Sequence, residues 1–197
     1  MAADTTVHFF GDSFVAGFGD PGGRGWVGRV AERAAADGRS FRAVNHGVPG
    51  ATSAETVARW LRATDDPRNA GLADTKVVFS FGTNDVIVGM NAEESLAALR
   101  AALERAAAID VPAFVIGPPP VGDLPAADAR LRELSSRFAA ACGVQNVEFV
   151  PTHAELAGEA RWTGETAAGD GSHPQSGGYT ALAELLIEGG LIDWISD

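Results

Sequence analysis

Thr5-Thr6-Val7-His8-Phe9-Phe10-Gly11-Asp12-Ser13 reads as a strand apolar enough to be buried, ending in a polar turn that contains a glycine. Runs of the same kind recur at Phe41 to Asn45, Lys76 to Phe81, Ala113 to Ile116 and Asn146 to Val150, with helix-period segments between them. After the first strand, Trp26, Val27, Val30 and Ala34 share one helical face, and Gly38 stands where a left-handed cap ends that helix. Thr52 with Glu55 reads as a capping box before Val57, Trp60 and Leu61. Asn91 with Glu94 reads the same way before Leu96, Leu99 and Leu103, in a helix that stops ahead of Pro112. Leu131, Leu134 and Phe138 carry a further face ending at Gly143, and Tyr179, Leu182, Leu185 and Leu186 a last one ending at Gly189-Gly190.

Strands alternating with helices at this spacing require parallel pairing through right-handed crossovers. The expected fold is α/β: a three-layer α/β/α sandwich around a doubly wound sheet of about five parallel strands. The 197 residues, without a linker, repeat or low-complexity stretch, are read as one domain over 1–197. A chain of this length buries roughly 70% of its unfolded surface without a disulfide or metal staple. Ligands in such folds bind beyond the carboxyl ends of the strands. That edge carries Gly11 to Ser13 after the first strand, Asn45 to Gly50 after the second, and Gly82-Thr83-Asn84-Asp85 after the third.

Composition excludes several partners. A formal net charge of −11, with 15 basic residues scattered along the chain, opposes binding to nucleic acid or to an anionic membrane surface. No apolar run approaches the roughly 18 residues of a membrane span, and no secretory leader is legible before Ser13, so the expected location is cytoplasmic. The lone Cys142, inside Phe138-Ala139-Ala140-Ala141-Cys142, reads as a small buried hydrophobe. Oligomeric state has no signature in the sequence.

Ser13 carries the first chemical signal, because a hydroxyl placed where a buried strand ends is held rigidly at the surface. Asp170-Gly171-Ser172-His173 supplies a carboxylate and an imidazole three residues apart, the two groups that turn a serine alcohol into a nucleophile. Alone, Ser13 would be a turn former, and its company points to acyl transfer. Such chemistry needs donors aimed at the oxygen that gains charge, and Gly50 and Asn84 lie in the right loops. Gly50 also reads as a positive-φ turn before the helix capped by Thr52, a role compatible with the first, and Asn84 taken alone would be an Asx turn.

Among the four histidines, His8 falls inside the first strand, His46 follows the second, and His153 opens a helix before Glu155. Only His173 has an obvious carboxylate partner. Competing motifs fail. Gly17-Phe18-Gly19-Asp20-Pro21-Gly22 has the dinucleotide spacing but starts beyond the strand and is interrupted by proline. Lys76, the sole lysine, begins a strand and cannot complete a P-loop or a phosphoacceptor site, and no G-x-S-x-G occurs. Histidines and carboxylates show no metal-ligand spacing, so neither metal nor other cofactor is expected.

Four segments taken in order resemble the SGNH, or GDSL-type, esterase and lipase family: Gly11-Asp12-Ser13-Phe14, Asn45-His46-Gly47-Val48-Pro49-Gly50-Ala51-Thr52-Ser53, Gly82-Thr83-Asn84-Asp85 and Asp170-Gly171-Ser172-His173-Pro174. The resemblance implies a flavodoxin-like α/β/α sandwich, in agreement with the order of elements, with Ser13 as nucleophile, His173 as its base and later acid, and Asp170 as the group orienting the imidazole. It implies an oxyanion hole of the Ser13 and Gly50 amides with the Asn84 carboxamide. Phe14 stands where leucine is frequent in the family, Ser172 where an apolar residue is, and Gln175 follows Pro174 where asparagine is usual.

The implied partner is a small-molecule ester. Phe14, Phe18, Val86, Ile87 and Met90 are candidate pocket residues, and with Pro118-Pro119-Pro120-Val121 they tilt the substrate toward small or short-chain acyl groups, although core packing also accounts for them. The alternatives are a carbohydrate O-deacetylase or acyltransferase and, from another class, an inert binding module on the same fold.

Overall fold

The amino-terminal strand is Thr6–Gly11 (β1) in the computed structural model, which describes residues 5–65, 75–122 and 125–197. Arg42–Gly47 (β2), Thr75–Ser80 (β3), Ala113–Ile116 (β4) and Glu148–Val150 (β5) join it in one parallel sheet of order β2-β1-β3-β4-β5. The helices in chain order are Ser13–Ala16 (α1), Gly25–Ala36 (α2), Ser53–Asp65 (α3), Thr83–Ile87 (α4), Ala92–Ala108 (α5), Pro125–Gln145 (α6), His153–Gly158 (α7), Ala160–Ala168 (α8), Ser176–Glu188 (α9) and Leu191–Ser196 (α10).

Adjacent residues of β1 point to opposite faces, and both faces are covered. Phe9 meets Trp26 of α2 edge-on at 5.5 Å between centroids, whereas Phe10 meets Trp60 of α3 at 5.5 Å on the other side. Register extends the two layers: Phe9 lies opposite Val78, and Phe10 opposite Phe79, which also packs on Trp60. Helices α9 and α10 share the α2 face, Trp194 of α10 packing on Phe114. Helices α5 and α6 share the α3 face, Phe138 of α6 packing on Phe81. Trp26 and Trp60 are fully buried, so truncating either to alanine removes roughly 3–5 kcal/mol of stability.

The strand order reverses beside β1. The chain leaves β1 for β2 on one side and returns past it to β3 on the other, so the segments after β1 and β3 diverge and leave a crevice at the carboxyl edge. This positions Ser13, Gly50 and Asn84 at one end of the sheet.

Local signals shaped most boundaries. Gly38 has φ +74° and closes α2, with the Arg39 amide donating to Ala34 O at 2.8 Å. The Thr52–Glu55 box is reciprocal: Glu55 N donates to Thr52 Oγ1 at 3.3 Å, and Thr52 N to Glu55 Oε2 at 2.9 Å. Asn91 caps α5 through the amide of Glu93.

Two ends differ from the sequence reading: β2 continues past Asn45 through His46 to Gly47, and α6 ends late. Helix α6 runs through Gly143 to Gln145, and the left-handed residue is Asn146 at φ +54°, with Val147 N donating to Cys142 O at 3.0 Å. Asparagine tolerates that conformation, so the cap falls three residues later and the strand expected from Asn146 begins only at Glu148. The short α1, α4, α8 and α10 were not separately legible. Among the described residues no helix is long and apolar enough to cross a membrane. Cys142 is fully buried, and burial pushes its thiol up to about 12.

Candidate active site

The turn after β1 is built for close approach. A Cβ on Gly11 would lie 2.1 Å from Ser80 O and 2.4 Å from Val15 Cγ2, so only glycine fits between β3 and α1. Asp12, buried, caps α1 by accepting from Phe14 N at 3.0 Å, and Ser13 becomes the first helical residue, 4% exposed.

The distant Asp170 loop meets this turn. Asp170 Oδ1 accepts from Ser172 N at 2.9 Å and His173 N at 2.8 Å, folding the four residues into a compact turn. Its Oδ2 lies 2.6 Å from His173 Nδ1. His173 Nε2 lies 2.8 Å from Ser13 Oγ across 160 residues of sequence. The His173 amide and ring, with the Ser172 amide, hold the Asp170 carboxyl down to about 2, so it is ionised at neutral pH and accepts at Nδ1. The ring proton therefore sits on Nδ1, leaving the Nε2 lone pair to face the serine hydroxyl. A hydroxyl, imidazole and carboxylate in this chain can move a proton off an attacking oxygen and store the resulting positive charge.

Several side chains fasten the histidine loop to the serine turn. The His173 ring packs edge-on against Phe18 at 4.8 Å and over Phe14 at 5.3 Å. Tyr179 donates its hydroxyl proton to Phe18 O at 2.7 Å. Glu165 accepts from the amides of Gln175, Gly177 and Gly178 at 2.7–2.9 Å, capping α9 just after the loop. Asp20, in the stretch after α1, accepts from Arg29 at 2.6 Å, Ser176 Oγ at 2.8 Å and Gly25 N at 3.0 Å. The arginine, the serine and the amides of Gly22 and Gly25 together hold its carboxyl well below the usual range. None of these roles is legible in the sequence: Tyr179 reads only as part of the last helical face and Asp20 as part of a glycine-rich stretch, while Arg29 and Glu165 have no signal beyond polarity within a helix, which many surface residues share.

Asn84, second residue of α4, donates Nδ2 to Ala51 O at 3.1 Å and lies 3.5 Å from Asp12 Oδ2. Gly50 has φ +79° in the turn before α3, and Val48 N donates to Gly11 O at 3.1 Å, so the segments carrying Ser13, Gly50 and Asn84 touch one another. Burial pushes the Asp12 carboxyl up to about 7, with the Asp85 charge adding and the Phe14 amide and Arg59 opposing.

Of the candidate pocket residues, Phe18 is 52% exposed beside the imidazole and Ile87 49% exposed. Val86 and Met90 border a cavity of about 240 Å³ against Arg130 and Leu134 of α6. Phe14 is buried under His173 and stacks on Trp162 at 5.7 Å, a floor position rather than a wall. The other histidines stand apart: His8 Nδ1 is 2.9 Å from His46 Nε2, and His153 Nε2 is 2.9 Å from Asp128. Burial, then His8 and Arg59, push His46 down to about 4. Among the described residues no group of three or more possible metal ligands converges.

Comparison with known proteins agrees with this architecture. The model of the GDSL-like lipase/acylhydrolase family matches residues 9–181. The chain is 29% identical over 190 residues to esterase TesA of Pseudomonas aeruginosa, covering 93% of this chain and 87% of TesA. In structure it is similar to the psychrotrophic esterase EstA from Pseudoalteromonas sp., with a TM-score of 0.77 at 18% identity over 98% of this chain and 100% of EstA. It is also similar to Axe2, an acetylxylan esterase from Geobacillus stearothermophilus, with a TM-score of 0.76 at 21% identity over 94% of this chain and 93% of Axe2. At these identities the two structural likenesses speak for the fold.

Proposed function

Because the chain belongs to the GDSL-like lipase/acylhydrolase family, we propose that it hydrolyses a carboxylic ester through an acyl group carried on Ser13. Ser13 Oγ attacks the ester carbon while its proton passes to His173 Nε2. Asp170, hydrogen-bonded to Nδ1, stabilises the imidazolium that results. The oxyanion of the tetrahedral intermediate accepts from the Ser13 and Gly50 amides and the Asn84 carboxamide. His173 returns the proton to the leaving alcohol, the acyl-serine forms, and water activated by the same imidazole releases the acid. Every proton in the cycle moves between side chains, substrate and water.

The observation that carries this reading is the continuous hydrogen-bonded line from Asp170 through His173 to Ser13, at 2.6 and 2.8 Å. The substrate side rests on the rim. Of the five large hydrophobic side chains exposed among the described residues, Phe18, Val48, Ile87 and Val88 follow β1, β2 and β3 at the edge that carries Ser13. An apolar rim favours a short aliphatic acyl ester over a polyol. The second reading is removal of acetyl groups from carbohydrate, motivated by the likeness to Axe2, which is described as an acetylxylan esterase.

The test is hydrolysis of p-nitrophenyl esters and matching thioesters of increasing acyl length, with a sugar acetate as control. Wild type should turn over short esters best and the Ser13→Ala variant should not. Undiminished turnover by Ser13→Ala would end the assignment, and preference for the sugar acetate would replace the first substrate reading by the second.

A further inference from the structure

Beneath Ser13 lies a cluster of ionisable groups to which the proposed cycle gives no task. Asp85, next to Asn84 in α4, is 0% exposed. Its Oδ1 accepts from Ser53 N at 2.7 Å, while Oδ2 is buried with no hydrogen-bond partner. Asp12 is 1% exposed, and Arg59 of α3 reaches in to donate Nη2 to Gly11 O at 2.9 Å and to Thr56 Oγ1 at 3.3 Å. Burying a carboxylate with one oxygen unsatisfied is costly, and such groups persist in native proteins where they serve a specific arrangement.

The partner of Asp85 locates that arrangement. Ser53 is the first residue of α3, three positions after Gly50, and Asp85 is one position after Asn84. The 2.7 Å bond therefore joins the segment bearing one proposed oxyanion donor to the segment bearing another, across 32 residues of sequence. Asn84 Nδ2 on Ala51 O makes the same crossing from the other side at 3.1 Å. With two crossings flanking them, the Gly50 amide and the Asn84 carboxamide cannot drift apart without breaking a buried bond. Oxyanion stabilisation depends on donors fixed in advance at hydrogen-bond distance from an oxygen that becomes charged only in the transition state.

We propose that Asp85 is a positioning residue for this reaction, setting the separation of the Gly50 and Asn84 donors by accepting from Ser53 N. The inference rests on the Ser13 reading above. Its signature is a loss confined to the transition state, which lowers kcat and leaves KM nearly alone.

The test compares Asp85→Ala, which removes the acceptor, with Asp85→Asn, which keeps an oxygen for Ser53 N and removes the charge. On a soluble p-nitrophenyl ester, Asp85→Ala should lose at least about tenfold in kcat with KM within about twofold, and Asp85→Asn should stay within about threefold of wild type. Amide hydrogen exchange at Ser53 gives a readout independent of activity: it should accelerate in Asp85→Ala and be largely restored in Asp85→Asn. If the alanine variant does not fold, Asp85→Ser, too short to reach Ser53 N, carries the same expectation. Wild-type kcat in a folded Asp85→Ala, a loss appearing in KM alone, or an Asp85→Asn variant as impaired as Asp85→Ala would overturn the proposal. Wild type and Ser13→Ala are assayed alongside, so that hydrolysis independent of Ser13 counts against the acyl-serine reading and not against Asp85.

Discussion

The two halves of the site are held by opposite means. The serine half sits on the edge of the sheet with Ser13, Asp12, Asp85 and Ser53 all buried, and its three segments are tied by bonds that span 32 to 72 residues of sequence. The histidine half is a surface turn. Asp170 has a side chain 49% exposed, and four consecutive residues make its bonds to Ser172 and His173. The contrast fits the chemistry proposed for each. Donors to an oxyanion act by being immobile, which burial and cross-bracing provide. A base that accepts and returns a proton gains from contact with solvent, provided its tautomer is fixed, and one carboxylate three residues away achieves that.

If the histidine half depends so fully on that carboxylate, its removal should be the severest change short of losing the nucleophile or base. Asp170→Asn should lower kcat by roughly 10⁴-fold while leaving the fold intact, since an amide no longer fixes the productive tautomer. A loss of only a few-fold, measured on a short p-nitrophenyl ester, would mean the exposed turn is not what orients the ring. On the buried side, Asn84→Ala should cost on the order of 10²–10³ in kcat with little change in KM. An equal loss in KM and none in kcat would remove Asn84 from the proposed oxyanion site.

The same contrast shows why the sequence disclosed one half better than the other. A turn made from Asp170, Ser172 and His173 is encoded in neighbouring residues, so its chemistry can be read directly. The strand ending at Gly11 is legible for the same reason, through its apolar run and the polar turn beyond it. Asp85 was only the end of a suggestive tetrapeptide, because nothing local announces that its carboxylate meets Ser53. Asp20 likewise looked like part of a loop, although it gathers Arg29 and Ser176 from two helices. The late end of α6 had another cause: glycine and asparagine both cap helices, and Asn146 took the left-handed position that Gly143 was expected to fill. Phe14 counts among the candidate pocket residues because apolar residues near a site look alike in sequence whether they face the substrate or the core.

Burial also makes the serine half sensitive to pH in a way the turn is not. Asp12 is pushed up to about 7, above its unfolded value of 3.8, so the folded state holds its proton more tightly and this contribution to stability is lost as pH rises toward 7. Asp12→Asn imitates the protonated carboxyl and keeps the acceptor for Phe14 N. Its unfolding free energy relative to wild type should rise between about pH 4 and 7 and level off above, reaching a gain on the order of a few kcal/mol. His8, His46 and His153 are shifted down, so their contributions carry the opposite sign and grow as pH rises toward the unfolded value of 6.5, and comparing variant with wild type cancels them. A difference independent of pH would show that Asp12 does not carry the proton. Asp170, held down to about 2, has the reverse sign and should lose its contribution only below about pH 4.

The smallest expected effect lies on the rim. Phe18 touches His173 and is half exposed, so Phe18→Ala should alter kcat/KM for a butyrate ester relative to an acetate by about three- to tenfold, about the worth of one methylene in an apolar contact. An unchanged ratio would place the acyl chain elsewhere along the edge.

The central claim is that a hydroxyl from the buried half attacks under the control of an imidazole from the exposed half. Peptide mapping by mass spectrometry after brief treatment with a fluorophosphonate tests it most directly. The account predicts one adduct per chain, on Ser13, and none in Ser13→Ala or His173→Ala over the same interval. An adduct on another residue, or undiminished labelling of Ser13 in His173→Ala, would contradict it.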